Sequence, residues 1–199
     1  MNEYGIILLA AGESKRLGFP KQLLEINGLT FLNRAANIFS SAVQPALCVL
    51  GFNYNRMTHE LQDVDIENVF NLNWKKGVGS SIKVGFNYLH KHYPYLKAVI
   101  FVNCDQPYVD EILINRLIEL HKEGHKLIAT RSGNEYILPM LIDSAFYKDL
   151  FKINDAEELS SLLMIHPVQG VDYPLAGVDI NTEEDWRKYF KEQRENKAS

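Results

Sequence analysis

Five short strand-like runs, at 6–9, 46–50, 66–70, 98–102 and 127–130, punctuate the first two thirds of this chain. Between them the apolar residues recur at helical spacing. Phe31, Leu32, Ala35, Ala36 and Phe39 form one such stripe. Ile82, Gly85, Phe86 and Leu89 form a second, with Ser80 or Ser81 as its expected cap. Ile114, Leu117, Ile118 and His121 form a third. Strands alternating with helices in this way predict a mainly parallel sheet covered by helices on both faces. A chain of 199 residues has enough apolar surface for one such unit. We expect a single domain over 1–190, followed by a disordered polar tail over 191–199.

After Thr130 the pattern changes. The run 137–142 contains Pro139, which favours an edge strand or a strand start. Leu159, Leu162 and Leu163 predict a short helix, and Val178-Asp179-Ile180 a short strand. Thr182-Glu-Glu-Asp185 reads as a capping box opening a last helix, with Trp186, Tyr189 and Phe190 on one side.

The first strand-like run stops at Ala10-Ala11-Gly12, and a loop with Lys15, Arg16, Gly18 and Lys21 follows. Small residues at a strand end let a ligand approach the backbone. Loop amides and fixed cations suit a polyphosphate. Gly18 is followed by Phe19, which excludes a Walker loop, and Gly12 by Glu13-Ser14, which excludes a dinucleotide loop. The formal net charge of -4 argues against a broad nucleic-acid surface, so an anion site has to be a local cluster of cations. Cys48 and Cys104 lack C-x-x-C spacing and read as reduced core thiols, which fits a cytoplasmic protein. No apolar run is long enough to span a membrane. His90, His92, His121 and His125 show no metal-binding spacing.

The run Leu9 to Lys21 resembles the nucleotidyltransferase signature L-A-A-G-x-S-x-R-[ML]-G-x-x-K, and within that group it looks most like the molybdenum cofactor cytidylyltransferases. Three further segments are similar to this family. Cys104-Asp105-Gln106-Pro107 resembles its C-D-x-P, whose aspartate holds Mg²⁺. Val178 to Thr182 resembles its D-[IV]-D-T, with Asn181 at the second acidic position. Asn71 to Ser81 resembles its N-x-x-W-x-x-G-[ML]-x-x-S. The chain departs from the pattern at Ile137-Leu138-Pro139, where the family has G-x-P, and at Ile153-Asn154-Asp155-Ala156, where it has G-D-x-G.

The resemblance implies a three-layer α/β/α sandwich like that of the nucleotide-diphospho-sugar transferases, a Rossmann-like fold. It implies Mg²⁺-dependent transfer from CTP to the phosphomonoester of molybdopterin or its molybdenum-loaded form, with release of pyrophosphate. Leu9, Ala10, Ala11, Gly12, Ser14, Arg16, Lys21, Gly77, Ser81 and Asp105 would bind the nucleotide. Arg16, Lys21 and Asp105 would be catalytic, and Asp105, Asp179 and Asn181 would hold the metal. A molybdoenzyme or its chaperone would be a further partner. The acceptor would lie along Arg131 to Pro139, where Ile137 narrows the cleft. Three alternatives stand beside this reading. One is another acceptor, such as a sugar phosphate or methylerythritol phosphate. Another is guanylyl transfer in the same pathway, whose enzymes carry Leu-Ala-Gly-Gly at the strand end. The third is a binding module without catalysis.

Overall fold

The computed structural model describes residues 3–197. In chain order its elements are β1 (Tyr4–Ala10), β2 (Glu25–Ile26), β3 (Leu29–Thr30), α1 (Phe31–Ala42), β4 (Ala46–Leu50), α2 (Tyr54–Glu60), β5 (Glu67–Phe70) and α3 (Val78–His92). They continue with β6 (Ala98–Asn103), α4 (Glu111–Lys122), β7 (Leu127–Ser132), β8 (Glu135–Asp143), α5 (Tyr147–Leu150), α6 (Ser160–Leu163), β9 (Gln169–Asp172) and α7 (Glu183–Lys197).

Seven strands form one sheet in the order β5-β4-β1-β6-β8-β7-β9. β5, β4, β1 and β6 run parallel, as do β7 and β9, while β8 is antiparallel to both its neighbours. The two-residue period of β1 divides the core. Ile6, Leu8 and Ala10 pack against α1 and α4 through Leu32, Ala36, Phe39, Ile114 and Leu117. Ile7 and Leu9 pack on the other face against Ile82, Phe86 and Leu89 of α3. Helices therefore cover both faces, which gives the expected three-layer α/β/α architecture. Among the described residues no helix is long and apolar enough to cross a membrane. Cys48 and Cys104 are free and buried.

Local signals place several ends. Thr30 caps α1 by accepting from Asn33 N at 3.2 Å, and Asp110 caps α4 by accepting from Leu113 N at 3.1 Å. The capping box forms at α7: Thr182 N donates to Asp185 Oδ2 at 2.8 Å, and Asp185 N donates to Thr182 Oγ1 at 3.2 Å. α7 is helical through Lys197, into the stretch expected to be a disordered tail.

Three expectations need correction. Ser80 and Ser81 do not cap α3. The helix starts at Val78 with Gly77 at its cap, so both serines lie inside its first turns. Val178 to Ile180 forms no strand. The last strand is β9, which pairs with β7. β8 is an internal strand despite Pro139. The β7–β8 register slips between Ala129 and Thr130, opposite Pro139, and Thr130 Oγ1 donates to Pro139 O at 2.8 Å. The missing Pro139 N–H thus falls in an irregularity that takes no ladder bond there. The hairpin β2–β3, turned by Asn27 and Gly28 at φ 59° and 81°, was not anticipated.

Candidate functional site

The carboxyl ends of β1 and β6 lie side by side, Leu9 opposite Asn103. In an open α/β sheet a ligand site forms outside the carboxyl ends of the strands. A cavity of about 280 Å³ forms there. Leu9, Ala10, Ala11, Gly12 and Lys21 line it from the first loop, Gly77 and Ser81 from the start of α3, and Asp105 from the end of β6. Eight of the residues singled out in the sequence thus meet in one space.

The first loop is held from beneath. Gln22 is buried, and its Nε2 donates to Ala10 O at 3.0 Å and to Gly12 O at 2.8 Å. Ala11 O accepts from Phe52 N at 3.0 Å. The carbonyls on either side of the strand end are therefore fixed. Ser14 does not line the cavity. It sits at φ 59°, and its Oγ accepts from Lys21 N at 3.1 Å, so it shapes the loop that brings Lys21 inward. Arg16 is exposed and lines neither cavity, and its charge only partly offsets the upward shift of Asp179.

Lys21 is the centre of the charged cluster. Its Nζ pairs with Asp105 Oδ2 and donates to Asn181 Oδ1 at 3.3 Å. Burial pulls the ammonium's pKa down, but the Asp105 carboxylate outweighs this and holds it above the usual lysine value. Ile180 N donates to Asp105 O at 3.2 Å, which ties the 179–181 segment to the end of β6. Asp179 is pushed up to about 6, first by burial and then by the negative charge of Asp105. Its Oδ1 is buried without a hydrogen-bond partner.

Two carboxylates and one amide carbonyl therefore surround a cation. Hard oxygen donors of this kind fit Mg²⁺, and the unpartnered Asp179 Oδ1 leaves a lone pair for it. Among the described residues no group of three or more His, Cys, Asp or Glu side chains is placed to hold a metal, so Asn181 and phosphate oxygens would complete the set.

At the α3 side, Asn71 is fully buried and its Nδ2 donates to Ser80 Oγ and Ser81 Oγ, both at 2.9 Å. Ser80 Oγ donates to Asn73 O and Gly77 O, so its hydroxyl is spent on the turn. Ser81 is the serine that lines the cavity. Gly77 adopts φ 128°, a region L side chains rarely enter, and a Cβ there would lie 2.6 Å from Asp155 O. The segment around Asp155 docks on this turn: Ser80 N donates to Asp155 O at 3.1 Å, and Lys83 pairs with the Asp155 carboxylate.

A second cavity, about 290 Å³, adjoins the first and shares Leu9, Val78 and Asn103 with it. Ile137 and Leu138 line it, as the departure from the family pattern suggested, together with Gln106, Tyr136 and Asp179. Arg131 is not part of it; it pairs with Asp172 at 2.6 Å on the surface.

Sequence reading missed Gln22, Asn103 and Gln106. A glutamine in a loop and an asparagine at a strand end are ordinary, and only the convergence of distant segments distinguishes them. The histidines lie outside both cavities. His121 bridges Tyr4 and Asp143 at 3.1 and 2.7 Å, and His90 stacks on Phe86.

Residues 6–170 match the MobA-like NTP transferase domain family. A Bacillus cereus (strain ATCC 10987) protein named "Probable molybdenum cofactor guanylyltransferase" is 23% identical over 189 residues, covering 94% of this chain and 90% of its own. Among solved structures, a Methanothermobacter nucleotidyl transferase is 19% identical with a TM-score of 0.81, covering 98% of this chain and 100% of that one. The manganese complex of Rv0371c from Mycobacterium tuberculosis H37Rv is 20% identical with a TM-score of 0.74, covering 96% and 98%. At these identities the likeness to solved structures is one of fold.

Proposed function

The chain belongs to the MobA-like NTP transferase domain family and is a nucleotidyltransferase; from that premise we propose that it transfers cytidylyl from CTP to the phosphomonoester of molybdopterin or its molybdenum-loaded form. The observation that carries this reading is the pair of adjoining cavities with Lys21, Asp105 and Asp179 about their border. One cavity suits a nucleoside triphosphate and the other its acceptor.

A phosphate oxygen of the acceptor attacks the α-phosphorus of CTP, and pyrophosphate leaves. A phosphomonoester has a second pKa of about 6 and is largely a dianion at neutral pH, so no strong base is required. Lys21 and Arg16 offset charge gathering on the phosphates, and the backbone between Leu9 and Gly12 positions the nucleotide. Asp105 and Asp179, with Asn181, would hold Mg²⁺, which when bound would add charge neutralisation at the phosphates. The relative described with manganese supports a divalent ion in this fold.

CTP is favoured because Ala11 lines the nucleotide cavity, and its methyl takes space a purine would use. The relatives named as guanylyltransferases support a second reading with GTP as donor.

The test is pyrophosphate release with Mg²⁺, molybdopterin and each NTP. Expected are turnover with CTP at least about tenfold better than with GTP, and a fall of orders of magnitude in Asp105→Asn. Equal or faster turnover with GTP replaces the base. Transfer only to a sugar or polyol phosphate replaces the acceptor. No release with any pairing leaves a binding module.

A further inference from the structure

Among the described residues two buried side-chain oxygens lack a hydrogen-bond partner, Gln106 Oε1 and Asp179 Oδ1. Both belong to residues that line the second cavity. Burying an acceptor without a donor is costly, so such atoms call for an explanation. The candidate metal accounts for Asp179. Nothing in the transfer reaction accounts for Gln106.

The orientation of the Gln106 amide is determined by its partners. Nε2 donates to Leu138 O at 2.7 Å and to Ala176 O at 2.9 Å. Both partners are carbonyls, so only the NH₂ end can serve them, and the flipped amide would set oxygen against two oxygens. Oε1 is thereby left as an acceptor for which the protein supplies no donor. The residue is 6% exposed, so bulk water does not readily replace one.

We infer that Gln106 is a specificity-determining residue of the acceptor cavity, its Oε1 accepting an N–H from an amino-substituted heterocycle of the acceptor. The inference rests on the proposed reading of this cavity as the acceptor's. Leu9, Ile82, Ile137, Leu138 and Met140 supply apolar wall, which suits the face of a flat ring. Asn103, Glu158 and Ser160 add polar groups at other points of the lining. A ring with a donor edge satisfies Oε1 and leaves its faces to the apolar side chains. The aminopyrimidinone edge of a pterin has that chemistry.

The experiment uses CTP, Mg²⁺ and three synthetic phosphomonoesters: a 2-amino-4-oxopteridine, its 2-desamino analogue and its N3-methyl analogue. The wild-type chain should use the parent at least about tenfold better in kcat/KM than one of the analogues, because a buried acceptor left unmet costs about that much or more. Gln106→Met, which has no donor and only a weak thioether acceptor, should bring the two within about threefold, with CTP binding by calorimetry unchanged. Should this variant fail to fold, the wild-type comparison decides alone. Equal use of all three by the wild type overturns the inference, as does a folded Gln106→Met chain that keeps full discrimination. In both cases the acceptor assignment survives. If no pteridine is cytidylylated while a sugar phosphate is, the acceptor reading itself falls and takes the inference with it.

Discussion

Lys21 and Asp105 stand 84 residues apart in the chain and form an ion pair where β1 and β6 end, their side chains only 19% and 10% exposed. An ammonium paired in this way would compete with any divalent cation for the Asp105 carboxylate.

Lys21→Ala should move two measurements in opposite directions. Transfer should fall by roughly a hundredfold, since losing one preorganised electrostatic contact costs about 3 kcal/mol in the transition state. Mn²⁺ affinity without nucleotide, followed calorimetrically, should rise because Asp105 is released. Turnover at the wild-type rate would remove Lys21 from the transfer step.

Asp179 links the site to pH. Its folded pKa of about 6 lies above the ordinary 3.8, so the folded chain holds this proton more tightly than the unfolded chain. Below pH about 4 both states are protonated, and the stabilisation from the bound proton is fully present. It declines as pH rises from about 4 to about 6 and is gone above that. Metal binding needs the carboxylate, so it should run the other way and weaken as pH falls below about 6. Denaturant midpoints and Mn²⁺ titrations between pH 4 and 7 measure both trends. Asp179→Asn should flatten each, and an unchanged pH slope in that variant would assign the effect to another group.

Gly79→Ala sets helix propensity against packing. Alanine inside a helix normally gains up to about 1 kcal/mol over glycine. Here the added Cβ would meet Asn154 O and lie 2.7 Å from Glu157 O, so the segment docked on α3 has to shift. We expect a net loss of about 1–3 kcal/mol in thermal unfolding. A stabilised variant would show that the 154–157 segment yields freely.

Ala11→Gly tests the base. Removing the methyl that lines the nucleotide cavity should raise the GTP:CTP ratio of kcat/KM by roughly tenfold. A ratio that does not move would place base selection elsewhere in the cavity.

The placing of the first loop at a strand end beside a cavity was legible in the sequence because the loop is contiguous. The apolar run ending at Ala10, the glycines and Lys21 lie within one short stretch, and a strand end followed by cations means much the same in any parallel sheet. The three-layer architecture was legible for a related reason. Ile6, Leu8 and Ala10 alternate with Ile7 and Leu9, and the α1 stripe repeats at helical spacing, so each element reports the faces it buries through its own residues.

Partner choice is not local, and it was decided only in the folded chain. Pro139 argued for an edge, yet β8 is internal, because the slip in the β7–β8 register accommodates the missing N–H. Val178 to Ile180 has a strand-like composition, but Ile180 N bonds Asp105 O and joins no sheet. That bond and the burial of Ile180 among Ile26, Phe31 and Tyr189 hold Asp179 and Asn181 near Lys21. Gln106 shows the same limit. As a sequence position it is a polar residue before a proline. Its fixed amide and unmet oxygen arise because Leu138 and Ala176, 32 and 70 residues away, present two carbonyls to one NH₂ group. The sequence by itself determined which residues could form strands, helices and a cation-bearing loop, since those follow from periodicity and side-chain chemistry. Tertiary packing decided which polar groups were left facing a cavity, since that depends on every segment that meets there.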